Sequence, residues 1–208
     1  MNYSRIPLGP IWTNSYIVDD GCGSAVCFDV GGSPEAVISR LRIDKMHLLA
    51  IILTHGHMDH ILGVGDLKRE TGAELYVPEL DEPMLSDPSK SLAMQFGYGI
   101  EPLQADHIVH DNDMFNIGKL SIMAMHTPGH TPGSTSYLLE QEDKKLLISG
   151  DTLFARSIGR TDLPGGDYTA IMNSVARLAA LDGDMPVLPG HGPETTLDVE
   201  RQLNPYIA

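Results

Sequence analysis

Seven residues whose side chains bind metals or move protons follow short apolar runs in four parts of the chain. They are His55, His57, Asp59, His60, His130, Asp151 and His191. The densest group lies in LTHGHMDH at residues 53–60, and the others lie in HTPGHTPG, ISGDTLF and LPGHGPE. Imidazole and carboxylate groups are ligands for zinc and related divalent ions. Because strand ends can converge at one edge of a sheet, the four segments together predict a metal centre.

The number and spacing of these residues favour two ions over one. In an extended segment His55 and His57 project to the same side, so both can bind one ion. Asp59 and His60 fall where the chain turns into a helix, and we expect them to face a neighbouring position. Zinc takes four ligands, or three and a water, whereas two-metal hydrolytic sites hold ions roughly 3.5–4 Å apart. Asp151 is the best candidate for the carboxylate that bridges such a pair.

The other histidines and the two cysteines lack this context. We expect ordinary surface or packing roles for the isolated histidines, which are His47, His107 and His110. His126 lies four residues before His130 and is expected to be structural rather than a partner of the site. Cys22 and Cys27 are expected to be inert small residues, because the candidate site is full without them.

Four polar residues near the candidate ligands have roles that the sequence leaves open. Asp29 and Thr54 are candidates for orienting imidazole rings through hydrogen bonds, with a turn cap as an equal alternative for Asp29. Arg160 is a candidate for binding an acidic substrate, and a structural salt bridge with Asp162 is at least as good an interpretation. Asn14, in WTNSY, is expected to be a turn residue.

Composition limits the kind of protein this is. The chain has 208 residues, of which 42% are apolar, and its composition does not change along the sequence in a way that marks a domain boundary. This predicts one domain over residues 1–208. Two cysteines make no disulfide framework, and the first twenty residues lack an apolar signal core, so a cytoplasmic location is expected. The net charge of -14 argues against a nucleic-acid or membrane partner and leaves a small molecule as the expected one. The oligomeric state stays open.

Hydrophobic patterning predicts an α/β fold. Strands are predicted at residues 15–18, 25–29, 48–53, 74–77, 120–126, 136–140, 145–149 and 186–188. Helices are predicted at 33–43, 59–71, 167–181 and 195–203, and a hairpin turn at 112–119. Because several strands are adjacent along the chain, two sheets with helices packed outside them fit better than one doubly wound sheet.

The segment at residues 78–104 is predicted to be an inserted helical lid. It is rich in proline, serine, aspartate and methionine. Phe96 and Tyr98 are candidates for lining a pocket, but ordinary core packing is the preferred interpretation for both.

Around the candidate ligands the sequence resembles the metallo-β-lactamase superfamily, and within it the glyoxalase II-like hydrolases. The resemblance rests on the motif THGHMDH together with HTPGHTPGS, SGDTLF followed by GRTD, PGHGPETT and ERQLNPY. It implies a four-layer αβ/βα sandwich with the metals at one edge. It also implies that His55, His57 and His130 hold the first metal, that Asp59, His60 and His191 hold the second, and that Asp151 bridges them.

The resemblance also suggests a reaction. A metal-bridging hydroxide, oriented by Asp59, would attack the thioester of an S-2-hydroxyacylglutathione such as S-lactoylglutathione, with two zinc ions, or iron or manganese, as cofactors. The chain ends 17 residues after His191, so the C-terminal helical domain of two-domain glyoxalase II enzymes is expected to be absent, as in the short bacterial type. The alternatives are a mononuclear Fe(II) persulfide dioxygenase, a lactonase-type hydrolase of the same fold, and a metal-binding module without catalysis.

Overall fold

A computed structural model describes residues 1–207, in which strands and helices interleave along the chain. The strands are β1 (Asn2–Leu8), β2 (Thr13–Asp19), β3 (Ser24–Phe28), β4 (His47–Ile52), β5 (Glu74–Pro78), β6 (His107–Val109), β7 (Met114–Ile117), β8 (Leu120–His126), β9 (Thr135–Gln141), β10 (Lys144–Gly150), β11 (Leu153–Phe154), β12 (Ser157–Ile158), β13 (Pro186–Pro189) and β14 (Thr195–Thr196). The helices are α1 (Glu35–Ile43), α2 (Met58–Ile61), α3 (Val64–Thr71), α4 (Tyr168–Ala179) and α5 (Leu197–Leu203). Two 3-10 turns, Glu79–Leu85 and Met94–Phe96, lie between β5 and β6.

The strands form two six-stranded sheets and a short hairpin. The first sheet has the order β1-β2-β3-β4-β5-β6, and the second has the order β14-β13-β10-β9-β8-β7. Strands β3 to β6 pair in parallel, as do β10 and β13, whereas the other pairs are antiparallel. Parallel neighbours require a crossover. Helix α1 connects β3 to β4, α2 and α3 connect β4 to β5, and α4 lies between β10 and β13.

Three apolar clusters define four layers. Helices α1 to α3 pack on the outer face of the first sheet, where Val37 and Leu67 contribute to the same cluster as Ile51. Ile52, the next residue of β4, points to the opposite face and packs between the two sheets. Helices α4 and α5 cover the outer face of the second sheet through a cluster that includes Val175. The predicted αβ/βα sandwich is confirmed, and β4 is apolar from Leu48 onward because both of its faces are covered.

The predicted helix at 59–71 is wrong in one respect, since it is broken into α2 and α3 at Leu62–Gly63. The amide of Gly63 donates to the carbonyl of Val30 over 2.8 Å, and the amide of Val30 donates to the carbonyl of His60 over 2.8 Å. A Cβ at position 63 would lie 1.8 Å from the carbonyl oxygen of Gly32. The chain breaks here because it docks against the turn that follows β3.

The segment at 78–104 contains the two 3-10 turns rather than a regular helix. Leu85 and Ala93 anchor it by burial, whereas Phe96 is 61% exposed and Tyr98 is 39% exposed. The prediction of core packing is therefore wrong for both aromatic residues. Among the helices of residues 1–207, none is long and apolar enough to cross a membrane.

Candidate metal centre

All seven candidate ligands lie together where the two sheets meet. His55 and His57 follow β4, and Asp59 and His60 lie in α2; His130 follows β8, Asp151 follows β10 and His191 follows β13. Strand β4 belongs to the first sheet, whereas β8, β10 and β13 belong to the second. The cluster is therefore assembled from both halves of the fold.

Three imidazole nitrogens converge on one point. The Nε2 atoms of His55 and His130 lie 3.2 Å and 2.9 Å from Nδ1 of His57. The three ring centroids are 4.7–4.9 Å apart, and the rings are nearly perpendicular to one another. This arrangement fits three nitrogen ligands of one tetrahedral ion, whose bonds to nitrogen are about 2.0–2.1 Å long.

A second group lies beside the first. The Oδ2 atom of Asp59 is 3.4 Å from Nε2 of His60 and 3.2 Å from Nε2 of His191. The carboxylate of Asp151 stands between the two groups, because its Oδ2 is 3.5 Å from Nε2 of His130 and 3.6 Å from Nε2 of His191. Its Oδ1 lies 3.6 Å from Nε2 of His60. The geometry gives Asp151 access to ions in both groups.

Buried atoms without partners indicate that the cluster suits positive ions. Within residues 1–207, Nε2 of His60 and Oδ1 of Asp151 are buried and make no hydrogen bond. Leaving a buried polar group unpaired costs about 1–3 kcal/mol. A divalent ion between His60 and Asp151 would satisfy both atoms, and a mixed set of imidazoles and carboxylates suits zinc, iron or manganese. The residues present therefore fit a site for two metal ions.

Hydrogen bonds behind the rings fix which nitrogen faces the centre. The carboxylate of Asp29 accepts bonds of 2.8 Å from Nδ1 of His60 and from the hydroxyl of Thr54. Since that hydroxyl donates to Asp29, it accepts from Nδ1 of His55 over 3.1 Å. Nδ1 of His130 donates to the carbonyl of Arg160 over 2.8 Å. In all three rings Nε2 is left free to bind a metal, which is the usual role of groups behind the ligands.

The sequence matches a known family over most of its length. The family model of the Metallo-beta-lactamase superfamily covers residues 8–191. The chain belongs to this superfamily. Probable metallo-hydrolase YqgX of Bacillus subtilis is 36% identical over 211 residues, spanning 100% of this chain and 98% of that protein. Hydroxyacylglutathione hydrolase GloC of Haemophilus influenzae is 31% identical over 210 residues, with the same coverage.

Solved structures superpose closely on this chain. BLEG-1 B3 metallo-beta-lactamase superposes with a TM-score of 0.93 at 38% identity and covers 100% of both chains. TTHA1623, crystallised in a di-iron-bound form, superposes with a TM-score of 0.82 at 34% identity and covers 98% of this chain and 99% of that one. Because the chain belongs to the metallo-β-lactamase superfamily and contains a cluster of metal-binding side chains, it is a metal-dependent hydrolase.

The other residues singled out from the sequence have separate roles in this superfamily member. The guanidinium of Arg160 makes two bonds of 2.7 Å to Asp162, which matches the structural salt bridge that the sequence offered as one of two alternatives. His107 stacks on Tyr76, and Nε2 of His126 donates to the carbonyl of Pro132, so both are structural as predicted. Cys27 is fully buried, and burial raises the pKa of its thiol. Cys22 is exposed.

Sequence reasoning missed three residues that support the cluster. Asn14 is a buried residue of β2 rather than a turn residue, and its amide donates to the carbonyls of Pro189 and Gly192 over 2.9 Å and 3.0 Å. Thr13 donates to Oδ2 of Asp59 over 2.8 Å. The third is Asp81. One indication of Thr13 and Asn14 was present in the sequence, because both are polar residues directly before the strand predicted at 15–18.

Asp81 ties together the two loops that carry the first group of histidines. One of its oxygens accepts from the Gly56 amide over 3.0 Å and from the Thr131 hydroxyl over 2.6 Å. The other accepts from the Gly133 amide over 2.7 Å. Burial raises the pKa of Asp81, although these hydrogen bonds oppose the rise. No sequence signal separates it from the neighbouring acidic residues of its segment.

Burial and neighbouring charges shift the pKa values of His57 and His60 in opposite directions. Burial, followed by the nearby His130, lowers the pKa of His57 to about 3. Burial also works to lower the pKa of His60, but the charges of Asp59, Asp29 and Asp151 outweigh it and raise that pKa to about 10. Burial on its own would raise the pKa of Asp59, but His60 and other neighbours hold it well below its usual range. Without metal, the second group therefore carries a protonated imidazole beside an ionised carboxylate.

A cavity of about 490 Å³ opens onto the cluster. Its polar wall includes the candidate ligands His57, Asp59, His130, Asp151 and His191. The remainder of its lining is formed by Ile11, Met58, Leu92, Phe96, Phe154, Ser157, Ile158, Arg160 and Leu163. This volume is in the range of small-molecule sites, which is roughly 300–1,000 Å³.

Proposed function

We propose that the chain is a binuclear metal-dependent thioesterase that hydrolyses S-2-hydroxyacylglutathione-type thioesters such as S-lactoylglutathione. The similarity to the hydroxyacylglutathione hydrolase GloC supports this substrate class. The proposal assigns the first ion to His55, His57 and His130, the second to Asp59, His60 and His191, and a bridging position to Asp151. Two divalent ions bound there, zinc in this proposal with iron or manganese as alternatives, would supply a hydroxide nucleophile, because metal binding lowers the pKa of water to about 7.

The protein's own part is to hold the carbonyl carbon of the substrate in the cavity beside the cluster. Thr13 fixes the Asp59 carboxylate by a hydrogen bond of 2.8 Å, and in this proposal the carboxylate in turn orients the hydroxide. Arg160 also lines the cavity, but Asp162 pairs with its guanidinium, so the proposal does not depend on attraction of an acidic substrate by this residue.

The observation that carries the proposal is the shortage of proton donors in the cavity. Apart from the candidate ligands, the polar residues among its described lining are Ser157 and Arg160. A serine hydroxyl and a guanidinium do not give up a proton near neutral pH. An amine or alkoxide leaving group needs a proton, whereas a thiolate, whose conjugate acid has a pKa of about 8.5, leaves without one. The cavity therefore favours a thioester over an amide or an ordinary ester.

The test is hydrolysis of S-lactoylglutathione by protein loaded with two ions per chain, followed by the loss of thioester absorbance. We expect turnover that a chelator abolishes. His57→Ala should lose both bound metal and activity, whereas His107→Ala, which alters a solvent-exposed histidine stacked on Tyr76, should keep both. Absence of turnover with both ions present contradicts the substrate class, and normal metal content in His57→Ala contradicts the ligand assignment.

A second candidate is hydrolysis of a β-lactam, and the similarity to BLEG-1 B3 metallo-beta-lactamase favours it. The same metal-loaded protein should be given a chromogenic cephalosporin in parallel. Cleavage of the lactam without cleavage of the thioester would replace the first proposal by the second. Oxygen uptake on glutathione persulfide with one iron per chain would replace both by the dioxygenase alternative.

A further inference from the structure

The cavity beside the metal cluster is lined by apolar side chains, here called its apolar wall, as well as by the candidate ligands. Four separate segments contribute to it: the β1–β2 turn, the 78–104 segment, the β11–β12 hairpin and the loop after that hairpin. The wall is formed by Ile11, Leu92, Phe96, Phe154, Ile158 and Leu163. Residues so far apart in sequence line one face because each segment passes over the same edge of the sandwich.

Part of this wall is exposed to solvent. Ile11 is 51% exposed and Phe96 is 61% exposed, although both are large apolar residues next to a concave site. Exposed apolar surface of this kind, rimmed by polar residues, marks places where a ligand or partner binds. Covering the phenyl ring of Phe96 with an apolar group removes that surface from water and strengthens binding.

The backbone is held in an unfavourable conformation at one residue of this wall and at two residues close to it in sequence. Trp12, Leu92 and Arg156 have φ angles of 62°, 68° and 59°, in the left-handed region that large side chains avoid. Trp12 follows Ile11, and Arg156 lies between Phe154 and Ile158. Such strain collects at ligand-binding sites, where the surrounding structure imposes it. The shape of the wall is thus maintained against local preference.

The wall offers little to a charged substrate. Among the described lining residues other than histidine, Arg160 is the one with a positive charge, and both of its bonds of 2.7 Å go to Asp162. The glutathione part of a thioester carries two carboxylates and an ammonium group, so it does not match an apolar surface. The acyl part is the portion that remains to contact it.

We infer that the acyl group of the substrate is bulky and apolar, aromatic or branched, and that Phe96 is a specificity-determining contact for it. This inference rests on the proposed thioesterase function. Within the 2-hydroxyacylglutathione class it predicts a preference for an aryl acyl group over the small lactoyl group. Burial of one phenyl ring corresponds to about a ten- to hundredfold gain in kcat/KM.

The experiment compares S-mandeloylglutathione with S-lactoylglutathione, using protein with two ions bound. Each kcat/KM is divided by the rate of hydroxide-catalysed hydrolysis of the same thioester, which removes their difference in intrinsic reactivity. We expect a corrected ratio of about ten or more in favour of mandeloyl. Phe96→Ala should lower kcat/KM for mandeloyl about tenfold more than for lactoyl. Met94→Ala, on the same segment and 63% exposed but outside the cavity lining, should leave the ratio unchanged.

Two results would overturn the inference while leaving the thioesterase intact. One is a corrected ratio near or below one in the wild-type protein, and the other is an equal loss for both substrates in Phe96→Ala. Because Phe96 is exposed, its variant should fold, and its unfolding temperature checks this. If neither thioester is hydrolysed with both ions bound, the proposed function itself fails, and this inference fails with it.

Discussion

Asp81 is a buried carboxylate that makes its hydrogen bonds to the loops on either side of the first histidine group rather than to the histidines. Its two oxygens serve three donors, which come from Gly56, Thr131 and Gly133. Gly56 separates His55 from His57, and Thr131 follows His130. Asp81 therefore sets the distance between the loops that must bring three imidazole nitrogens to one point.

Asp81→Asn should weaken binding of the first ion while the fold is kept. The amide has the same shape, but its NH₂ group would face donors and leave at least one of them unpaired. Loss of a group that orients ligands typically costs about ten- to a hundredfold in metal affinity. Competition with a chromophoric chelator measures this affinity. Asp87→Asn is the matched control, because Asp87 is a partly exposed aspartate of the same segment that bonds to Ser89 instead of to the histidine loops. Equal affinity in Asp81→Asn and wild type would make Asp81 merely structural.

His60 makes metal uptake depend on pH. The charges of Asp59, Asp29 and Asp151 outweigh burial and raise its pKa to about 10, so the metal-free protein holds a proton on this ring at neutral pH. An incoming ion must displace that proton, and lower pH therefore opposes binding. Apparent affinity should rise by up to about tenfold per pH unit from about 6.5 towards about 10. Titration calorimetry in buffers of different ionisation enthalpy would show the released proton. An affinity that is constant over this range contradicts the assignment of His60.

At the scale of elements, the turn after β13 shows how closely backbone must approach the cluster. A Cβ on Gly190 would lie 2.2 Å from Oδ1 of Asp151 and 2.8 Å from Cε1 of His60. Gly190→Ala should displace both side chains, and a shift of about 1 Å in a catalytic site can cost about a hundredfold in rate. Metal analysis and thioester turnover should fall together. Gly99→Ala is the control, because a Cβ there has nothing within 4 Å and its φ is not positive. Unchanged activity in Gly190→Ala would contradict this prediction and show that the turn can move to accommodate a Cβ without displacing Asp151 and His60.

Elements were predictable where the pattern is local. After its first residue, strand β4 is an apolar run covered on both faces, and the ligand motif follows it directly, so strand and site could be placed together. Strand β1 was not predicted, because NYSRIPL has neither a clear alternation nor an apolar run and contains Pro7. It forms a strand because it pairs with β2 along its full length. The break between α2 and α3 likewise depends on Val30, which lies far from Gly63 in sequence.

The supporting residues of the site were less predictable than its candidate ligands. Ligand-type residues repeat a pattern of apolar run, glycine and histidine or aspartate, which a single sequence displays. Asn14 acts on carbonyls 175 and 178 residues away, and Asp81 acts on loops 25 and about 50 residues away on opposite sides. Their roles follow from the way the two sheets pack together, and no local pattern encodes that packing.

At the scale of the whole molecule, the cluster joins the two halves of the chain. His55, His57, Asp59 and His60 come from the first sheet and its helices, whereas His130, Asp151 and His191 come from the second. Ions held by both sets would link the halves in the folded state only. The link matters for a chain of net charge -14, in which buried Asp29, Asp59 and Asp151 lie close together.

Removal of metal should therefore lower thermal stability as well as activity. An ion at about a hundred times its Kd stabilises a folded protein by about 2.7 kcal/mol, provided that it does not bind the unfolded chain. For a chain of this size that corresponds to a fall in Tm of about 5–11 °C when the site is emptied. Scanning calorimetry of metal-loaded protein, with and without EDTA, measures the shift. His57→Ala, which should hold less metal, should respond less to EDTA and begin from a lower Tm. Identical melting with and without metal would mean that the two sheets are joined by their apolar core alone, and that the ions serve the chemistry without supporting the fold.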